Sequence, residues 1–324
     1  MKTVVLLTTG GTIASKRNPK TGLLISGALT GKELSSMCEL PNDLTVDVQS
    51  LFQISSNQMT FQLLLELKEK IEDVFKDKAV DGIVVTHGTD TLEETAYFLD
   101  LTIADERPVV VTGSQRAPTE IGSDAFLNIR QAILAASNDH LKGIGTTVLF
   151  NEKILSARYI KKVHASNLDG FRVNGYGNLG TVDREEVHLY QRPVQRELHS
   201  NVVELPSVDI IPTYLGGDGR FIRAAVTSGA KGIVIEGAGR GHVPPLAVDE
   251  IRNAINQGVV VLLTTRADEG LVKVVYEFEG SVEHLLQQGV LLGRDYDSKK
   301  ARIKLATLLA AKYNKEEIQM LFNQ

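Results

Sequence analysis

The stretch that decides the fold is the first one, "KTVVLLTTGGTIASKR" (2–17). Its continuous apolar run has the composition of a strand buried on both faces, and it breaks at once into hydroxyls and two glycines. Four later runs repeat this grammar: "GIVVTHGTD" (82–90), "PVVVTGSQR" (108–116), "GIVIEGAGR" (232–240) and "GVVVLLTTR" (258–266). Between them lie patterns with apolar residues at spacings of three and four, "FQLLLELKEKIEDVF" (61–75), "TLEETAYFLDLTI" (91–103) and "DAFLNIRQAILAA" (124–136). Alternating strand and helix implies right-handed βαβ crossovers, hence an α/β fold with a doubly wound, mostly parallel sheet. In such sheets ligands bind at the carboxyl ends of the strands, where this chain gathers its Thr, Ser and Gly residues.

A chain of 324 residues is long for a single core. The alternation is interrupted by the polar "HLYQRPVQRELHSN" (188–201) and restarts at "VDIIPTY" (208–214). The expected organisation is therefore a larger N-terminal domain over 1–190, a linker over 191–207 and a smaller α/β C-terminal domain over 208–324. The final segment reads as two helices broken at Tyr313-Asn314. With 43% hydrophobic and 23% charged residues the chain is neither disordered nor fibrous. A net charge of -5 gives no footprint for nucleic acid or an anionic membrane, and no apolar run is long enough to span a bilayer. Entry into a strand directly after Met1-Lys2 favours the cytoplasm, with a secreted or periplasmic chain as the alternative if a leader had been removed. The single cysteine, Cys38, reads as a small buried hydrophobe, and no histidine pair has the spacing of a helical metal site.

The glycine-rich turns do not fit the common cofactor motifs. "GGTIASKR" lacks the Gly-Lys-Ser/Thr ending of a phosphate-binding loop. "GAGRGH" (237–242) puts His242 where a dinucleotide fingerprint needs its third glycine, and "TGSQR" lacks the spacing of a nucleophile elbow. No cofactor and no metal are expected. The threonines remain. Thr12, behind Gly10-Gly11, and Thr89-Asp90, behind His87-Gly88, could supply a nucleophile and a relay that activates it. The same residues also suit strand termination and helix capping, and "TLEE" (91–94) has the form of a capping box. His87 reads as a packed or hydrogen-bonded structural residue.

Together, "TTGGTIAS" (8–15) and "VTHGTDTLEETAYFL" (85–99) resemble the two signatures of the bacterial-type L-asparaginases, a family that includes asparaginase-glutaminases. "VTGSQRAPTEIGSDAFLN" (111–128), "NEKILSARYIKKVHASNLDGF" (151–171) and "KKARIKLATLLA" (299–310) extend the resemblance over nearly the whole chain. It implies hydrolysis of L-asparagine to L-aspartate and ammonia through an ester on Thr12, with Thr89, Asp90 and Lys162 as a supporting triad. It further implies substrate binding by Ser56, Asn57, Gly11, Gly88 and Ser114, with Ser56 and Asp90 meeting the α-carboxylate and α-amino groups. A homodimer or homotetramer with sites completed across an interface is implied too; Arg240 and Glu283 match the partner's contribution, Glu283 only if a one-residue gap is allowed. Two other readings stay open, a mixed glutaminase-asparaginase and a non-catalytic amino-acid-binding module.

One departure stands out. The family often places a tyrosine in the loop after the first motif, whereas here that loop is "SKRNPKTGLLISGALTG" (15–31) and the first tyrosine is Tyr97. Without the phenol, Lys162 acting through Thr89 or water is the expected proton acceptor. Leu23, Leu24 and Ile25, between Gly22 and Gly27, then read as an apolar lid.

Overall fold

In a computed structural model, residues 1–25 and 38–324 are described. They form two compact units, Met1–Ser200 and Asn201–Gln324. The first runs β1 (Lys2–Gly10), a short ribbon of β2 (Lys16–Arg17) and β3 (Leu24–Ile25), β4 (Leu44–Ile54), α1 (Phe61–Val74), β5 (Gly82–Thr86), α2 (Leu92–Thr102), β6 (Val109–Thr112), α3 (Ala125–Ala136), β7 (Thr146–Phe150) and β8 (Lys153–Ser156). A separate hairpin of β9 (Ile160–Lys162) and β10 (Phe171–Val173) follows, then β11 (Gly180–Asp183) and β12 (Glu186–Leu189).

The main sheet has the order β12-β11-β8-β7-β6-β5-β1-β4. Strands β4, β1, β5, β6 and β7 are parallel, and β8, β11 and β12 add antiparallel pairs at one side. Numbered in chain order, the parallel strands lie 2-1-3-4-5. The chain leaves β1 for β4 on one side and returns to β5 on the other, so the topological switch point lies between β1 and β5. The apolar runs of β1, β5 and β6 are buried throughout their centres, because helices cover both faces of the sheet. β4 was not legible in that way. Its sequence, "LTVDVQSLFQI", alternates between half-buried and exposed positions over much of its length, as an edge strand covered on one face does.

The second unit contains β13 (Val208–Pro212), α4 (Arg220–Thr227), β14 (Gly232–Gly237), α5 (Val248–Asn256), β15 (Val260–Thr265), α6 (Val282–Gln287), β16 (Leu291–Leu292), α7 (Ser298–Ala310) and α8 (Lys315–Phe322). Its four strands are parallel in the order β13-β14-β15-β16. The expected break at Tyr313-Asn314 is a capping box: Asn314 Oδ1 accepts from the Glu317 amide at 2.9 Å, and Glu317 Oε2 accepts from the Asn314 amide at 2.8 Å. α8 is tied to α7 by the fully buried Lys304, whose Nζ donates to the Leu321 carbonyl at 2.7 Å and to Tyr296 Oη at 3.0 Å.

Part of the stretch read as a linker packs with the first unit. Arg192 donates to the carbonyls of His140 and Lys142 at 2.7 and 3.1 Å, and the His199 amide donates to the Leu101 carbonyl at 2.7 Å. Arg196 donates to the Ile103 carbonyl. His199 and Arg196 satisfy carbonyls at and just beyond the end of α2, and Arg192 those at the end of the short 3₁₀ turn Asp139–Leu141 that follows α3. Cys38 is buried, and burial pushes its thiol up to about 12, as its reading as a small hydrophobe requires.

Gly82, which opens β5, sets how closely the end of α3 approaches the sheet, because a Cβ there would lie 2.0 Å from the Ala136 carbonyl oxygen. Gly82→Ala is expected to force β5 and α3 apart, costing about 1–3 kcal/mol. The thermal midpoint of the first unit should fall by roughly 5 °C; an unchanged midpoint in differential scanning calorimetry would show that the contact is slack.

Candidate active site

Three strand ends converge at the switch point. β1 ends in Gly10 and Gly11, with φ of 109° and 81°, a left-handed region that favours glycine. The Gly11 amide donates to the Ile54 carbonyl at the end of β4 at 3.0 Å. A Cβ on Gly11 would lie 2.5 Å from Gly88 Cα, and one on Gly88 would lie 2.7 Å from Ser56 Oγ. The three loops are therefore in direct contact. Thr12 opens a short 3₁₀ turn, Thr12–Ala14, which Ser15 Oγ braces by donating to the Gly11 carbonyl at 3.0 Å.

Beyond β5, His87 is fully buried. Its Nδ1 lies 2.8 Å from the Gly88 carbonyl and its Nε2 3.0 Å from Thr95 Oγ1, an arrangement that fits the Nδ1–H tautomer donating to the carbonyl and accepting from the hydroxyl. Burial holds its pKa down to about 4, so the ring is neutral at pH 7 and structural. The capping box suggested by "TLEE" is not made. Thr91 caps no amide; its hydroxyl donates to the Ser56 carbonyl at 2.7 Å and ties the start of α2 to the turn that follows β4.

Lys162, the last residue of β9, brings a cation to Thr89 and Asp90 from far along the chain. Its Nζ lies 2.8 Å from Thr89 Oγ1 and 2.8 Å from Asp90 Oδ1. The two ends of this ion pair differ in environment: the lysine side chain is 14% exposed and the aspartate 66%. The buried end faces a hydroxyl, and the carboxylate keeps contact with solvent, leaving it acceptor capacity for a ligand amine.

These groups line a cavity of about 280 Å³ together with Gly11, Thr12, Ser15, Ser55, Ser56, Gly88, Gln115 and Ala165. Its size is near the lower end for small-molecule sites, roughly 300–1,000 Å³. Its wall is nearly all hydroxyl, amide and charge, which suits a small zwitterion better than an apolar ligand. Of the residues anticipated for the site, the cavity collects Thr12, Thr89, Asp90, Lys162, Ser56, Gly11 and Gly88. Asn57 is exposed outside the lining, and Ser114 is buried with its hydroxyl donating to the Arg116 carbonyl at 2.9 Å. Arg240 and Glu283 belong to the second unit. Of the expected lid, Leu23 is exposed, while Gly27 and the side chains of Leu24 and Ile25 lie outside the described residues.

Gln115, Ser15, Ser55 and Ala165 were not anticipated. Gln115 carried a signal, since it follows a strand in the same way as Thr12 and Thr89; Ala165 carried none.

The chain matches the family model for the asparaginase N-terminal domain over residues 3–195, and that for the glutaminase/asparaginase C-terminal domain over residues 207–322. It is 58% identical over 310 residues to an L-asparaginase of Bacillus licheniformis, covering 96% of each chain. It is 31% identical over 332 residues to a glutaminase-asparaginase of Pseudomonas aeruginosa, covering 99% of this chain and 90% of the other. A crystal structure described as a probable cytoplasmic L-asparaginase from Campylobacter jejuni superposes with a TM-score of 0.91 at 31% identity, covering both chains fully.

The buried imidazole gives a pH test of this geometry. Between its ordinary value of 6.5 and the folded value of about 4, His87 takes up a proton in the unfolded chain before it does in the native one. Its contribution is thus complete above pH 6.5 and is lost as pH falls toward 4. Urea unfolding at pH 7 and pH 5 should show a loss of about 2 kcal/mol attributable to this group, and His87→Gln should remove that part of the slope. An unchanged slope in the variant would mean that His87 takes its proton in the native state.

Proposed function

The chain belongs to the asparaginase family of amidohydrolases, and from that premise we propose that it hydrolyses the side-chain amide of L-asparagine to L-aspartate and ammonia through an acyl-enzyme on Thr12. The observation that carries the reading is the junction of Thr12 with the Thr89–Lys162–Asp90 cluster in one polar cavity. With Lys162 as the neutral amine, Thr12 Oγ attacks the amide carbon, and its proton passes to Thr89 Oγ1 as the Thr89 hydroxyl hydrogen passes to Lys162 Nζ. The C–N bond then breaks as ammonia leaves with a proton. Water cleaves the resulting ester, releasing aspartate and restoring the hydroxyl. An alcohol is a weak nucleophile, so an acceptor within reach is what the step requires.

Asp90 takes the α-amino group and Ser56 the α-carboxylate. Asn57, exposed outside the lining, does not support selectivity through its length. The preference for asparagine rests instead on the small cavity, where one additional methylene is worth about 1–3 kcal/mol.

We further propose that the working form is a homodimer or homotetramer, with Arg240 and Glu283 contributed across an interface. What supports this is the irregular segment around 271–278, which leaves Leu271, Val275, Tyr276 and Phe278 about half exposed on the second unit. A run of large apolar side chains of this kind is more typical of an interface than of open surface. The cytoplasm is the proposed location, in keeping with the description of the Campylobacter jejuni protein.

Thr12→Ala is expected to lower kcat at least about 1,000-fold in an ammonia-release assay while calorimetry still detects asparagine binding. Substantial turnover in the variant would remove Thr12 from the nucleophile's role; wild-type protein that binds asparagine without releasing ammonia would favour a binding module. For the wild type, kcat/KM for L-asparagine should exceed that for L-glutamine by at least about 10-fold, and near-equal values would make the protein a mixed glutaminase-asparaginase.

A further inference from the structure

Gln115 occupies a place that the chemistry above does not use. Its main chain is held from below by the buried Asp124, whose two carboxylate oxygens accept from the successive amides of Gln115 and Arg116, each at 3.0 Å. Asn128 fixes that carboxylate in turn, donating through Nδ2 to Asp124 Oδ2 at 3.0 Å and to the Gly113 carbonyl at 2.9 Å. The loop after β6 therefore has a set height over the cavity. A carboxylate that accepts several donors in a buried setting is a stiff anchor.

From this anchor the side-chain amide of Gln115 reaches between two parts of the site. Its Oε1 is 3.5 Å from Thr89 Oγ1, and its Nε2 is 3.5 Å from the His164 carbonyl, in the turn joining β9 to β10. That hairpin carries Lys162. Nε2 also lies close to Gly170, where a Cβ would come within 2.2 Å of it. Two contacts of 3.5 Å are long for hydrogen bonds, so their value lies in spacing and orientation more than in binding energy.

We propose that Gln115 is a positioning residue: its amide keys the β9–β10 hairpin, and so Lys162, to Thr89, and it orients the Thr89 hydroxyl. The inference rests on the proposed amidohydrolase reading for its kinetic consequence. In the resting site Oε1 accepts the Thr89 hydroxyl hydrogen while the Lys162 ammonium donates to Thr89 Oγ1 at 2.8 Å; once Lys162 is the neutral amine, that hydrogen turns from Oε1 to Nζ and the relay is set. With Nε2 on the His164 carbonyl, a flip of the amide would set two oxygens against each other. The same turn is also held by Asp169, which pairs with Lys153 on β8 and lies 3.6 Å from Arg172. His164 keeps its Nδ1 on the amides of Ser166 and Asn167, at 3.1 and 2.9 Å. Asp90 is the charged group on Lys162 itself.

The test separates the two contacts. Gln115→Met matches the side chain in length and removes both; Gln115→Glu keeps an acceptor for Thr89 and loses the donor to His164. We expect Gln115→Met to lower kcat about 10- to 100-fold with KM changed less than about 3-fold, the pattern of a group that matters in the transition state. Gln115→Glu should recover part of that kcat, with the acid limb of its pH profile displaced about one unit upward by the added carboxylate. The same displacement should appear in the titration of the Lys162 Cε resonance in protein labelled with ¹³C-lysine, a readout that does not require turnover. Wild-type kcat in Gln115→Met, or a Lys162 titration unmoved in Gln115→Glu, would overturn the proposal. Wild-type protein without ammonia release would instead overturn the amidohydrolase reading, leaving the lysine titration to decide the role of Gln115.

Discussion

The rest of the site depends on a contact between backbones. Gly11 and Gly88 meet at the switch point of the sheet with no room for a side chain on either, and Gly88 lies equally close to Ser56. A single β-carbon at this junction would push the ends of β1, β5 and β4 apart. Thr12 and Thr89 would then no longer share a wall. The tight packing is possible because the strands behind it are parallel, apolar and buried on both faces, so their ends arrive at one level. The glycines of "TTGGT" and "THGTD" are there for proximity. The hydroxyls that follow them line the cavity.

Hydroxyls crowd these strand ends, and most of them serve the backbone. Thr9 donates to the Thr86 carbonyl at 2.8 Å, Thr91 to Ser56 and Thr112 to the Leu149 carbonyl at 2.8 Å. Each such bond goes to a main-chain carbonyl near the end of a strand or in the turn that follows it, where a missing partner would be costly. Thr12 and Thr89 differ in facing the cavity. Composition and spacing cannot make that distinction, because donors to the main chain and donors to a ligand have the same residue types.

That limit explains what could and could not be read in advance. The buried strands, the alternating helices, the switch-point location and the terminal pair of helices follow from local pattern. β4 escaped because an edge strand lacks a continuous apolar run. Gln115 lines the cavity beside the anticipated Ser114, and the reason lies well down the chain: Asp124 grips the amides of Gln115 and Arg116 and fixes the loop on which both stand. Lys162 was separated from Lys161 only by resemblance to a family motif. The hairpin register supplies the physical reason, with Lys162 opposite Phe171 and Lys161 opposite Arg172, so that successive side chains point to opposite faces. The arginines of the 188–201 stretch looked like a solvated linker because charge alone does not reveal the helix-end carbonyls they cap.

The missing loop tyrosine gives the lysine cluster its weight in this account. With no phenol beside Thr12 in the first motif's loop, the acceptor nearest in kind is the amine that already touches Thr89, and the cavity's polarity follows from the need to hold both that amine and a zwitterionic substrate. The most direct measurement is to quench the wild-type enzyme rapidly in acid during turnover of L-asparagine and map any covalent adduct by peptide mass spectrometry. The account predicts an aspartyl ester on Thr12. An adduct on Thr89, or ammonia released at full rate with no adduct on any residue, would contradict it.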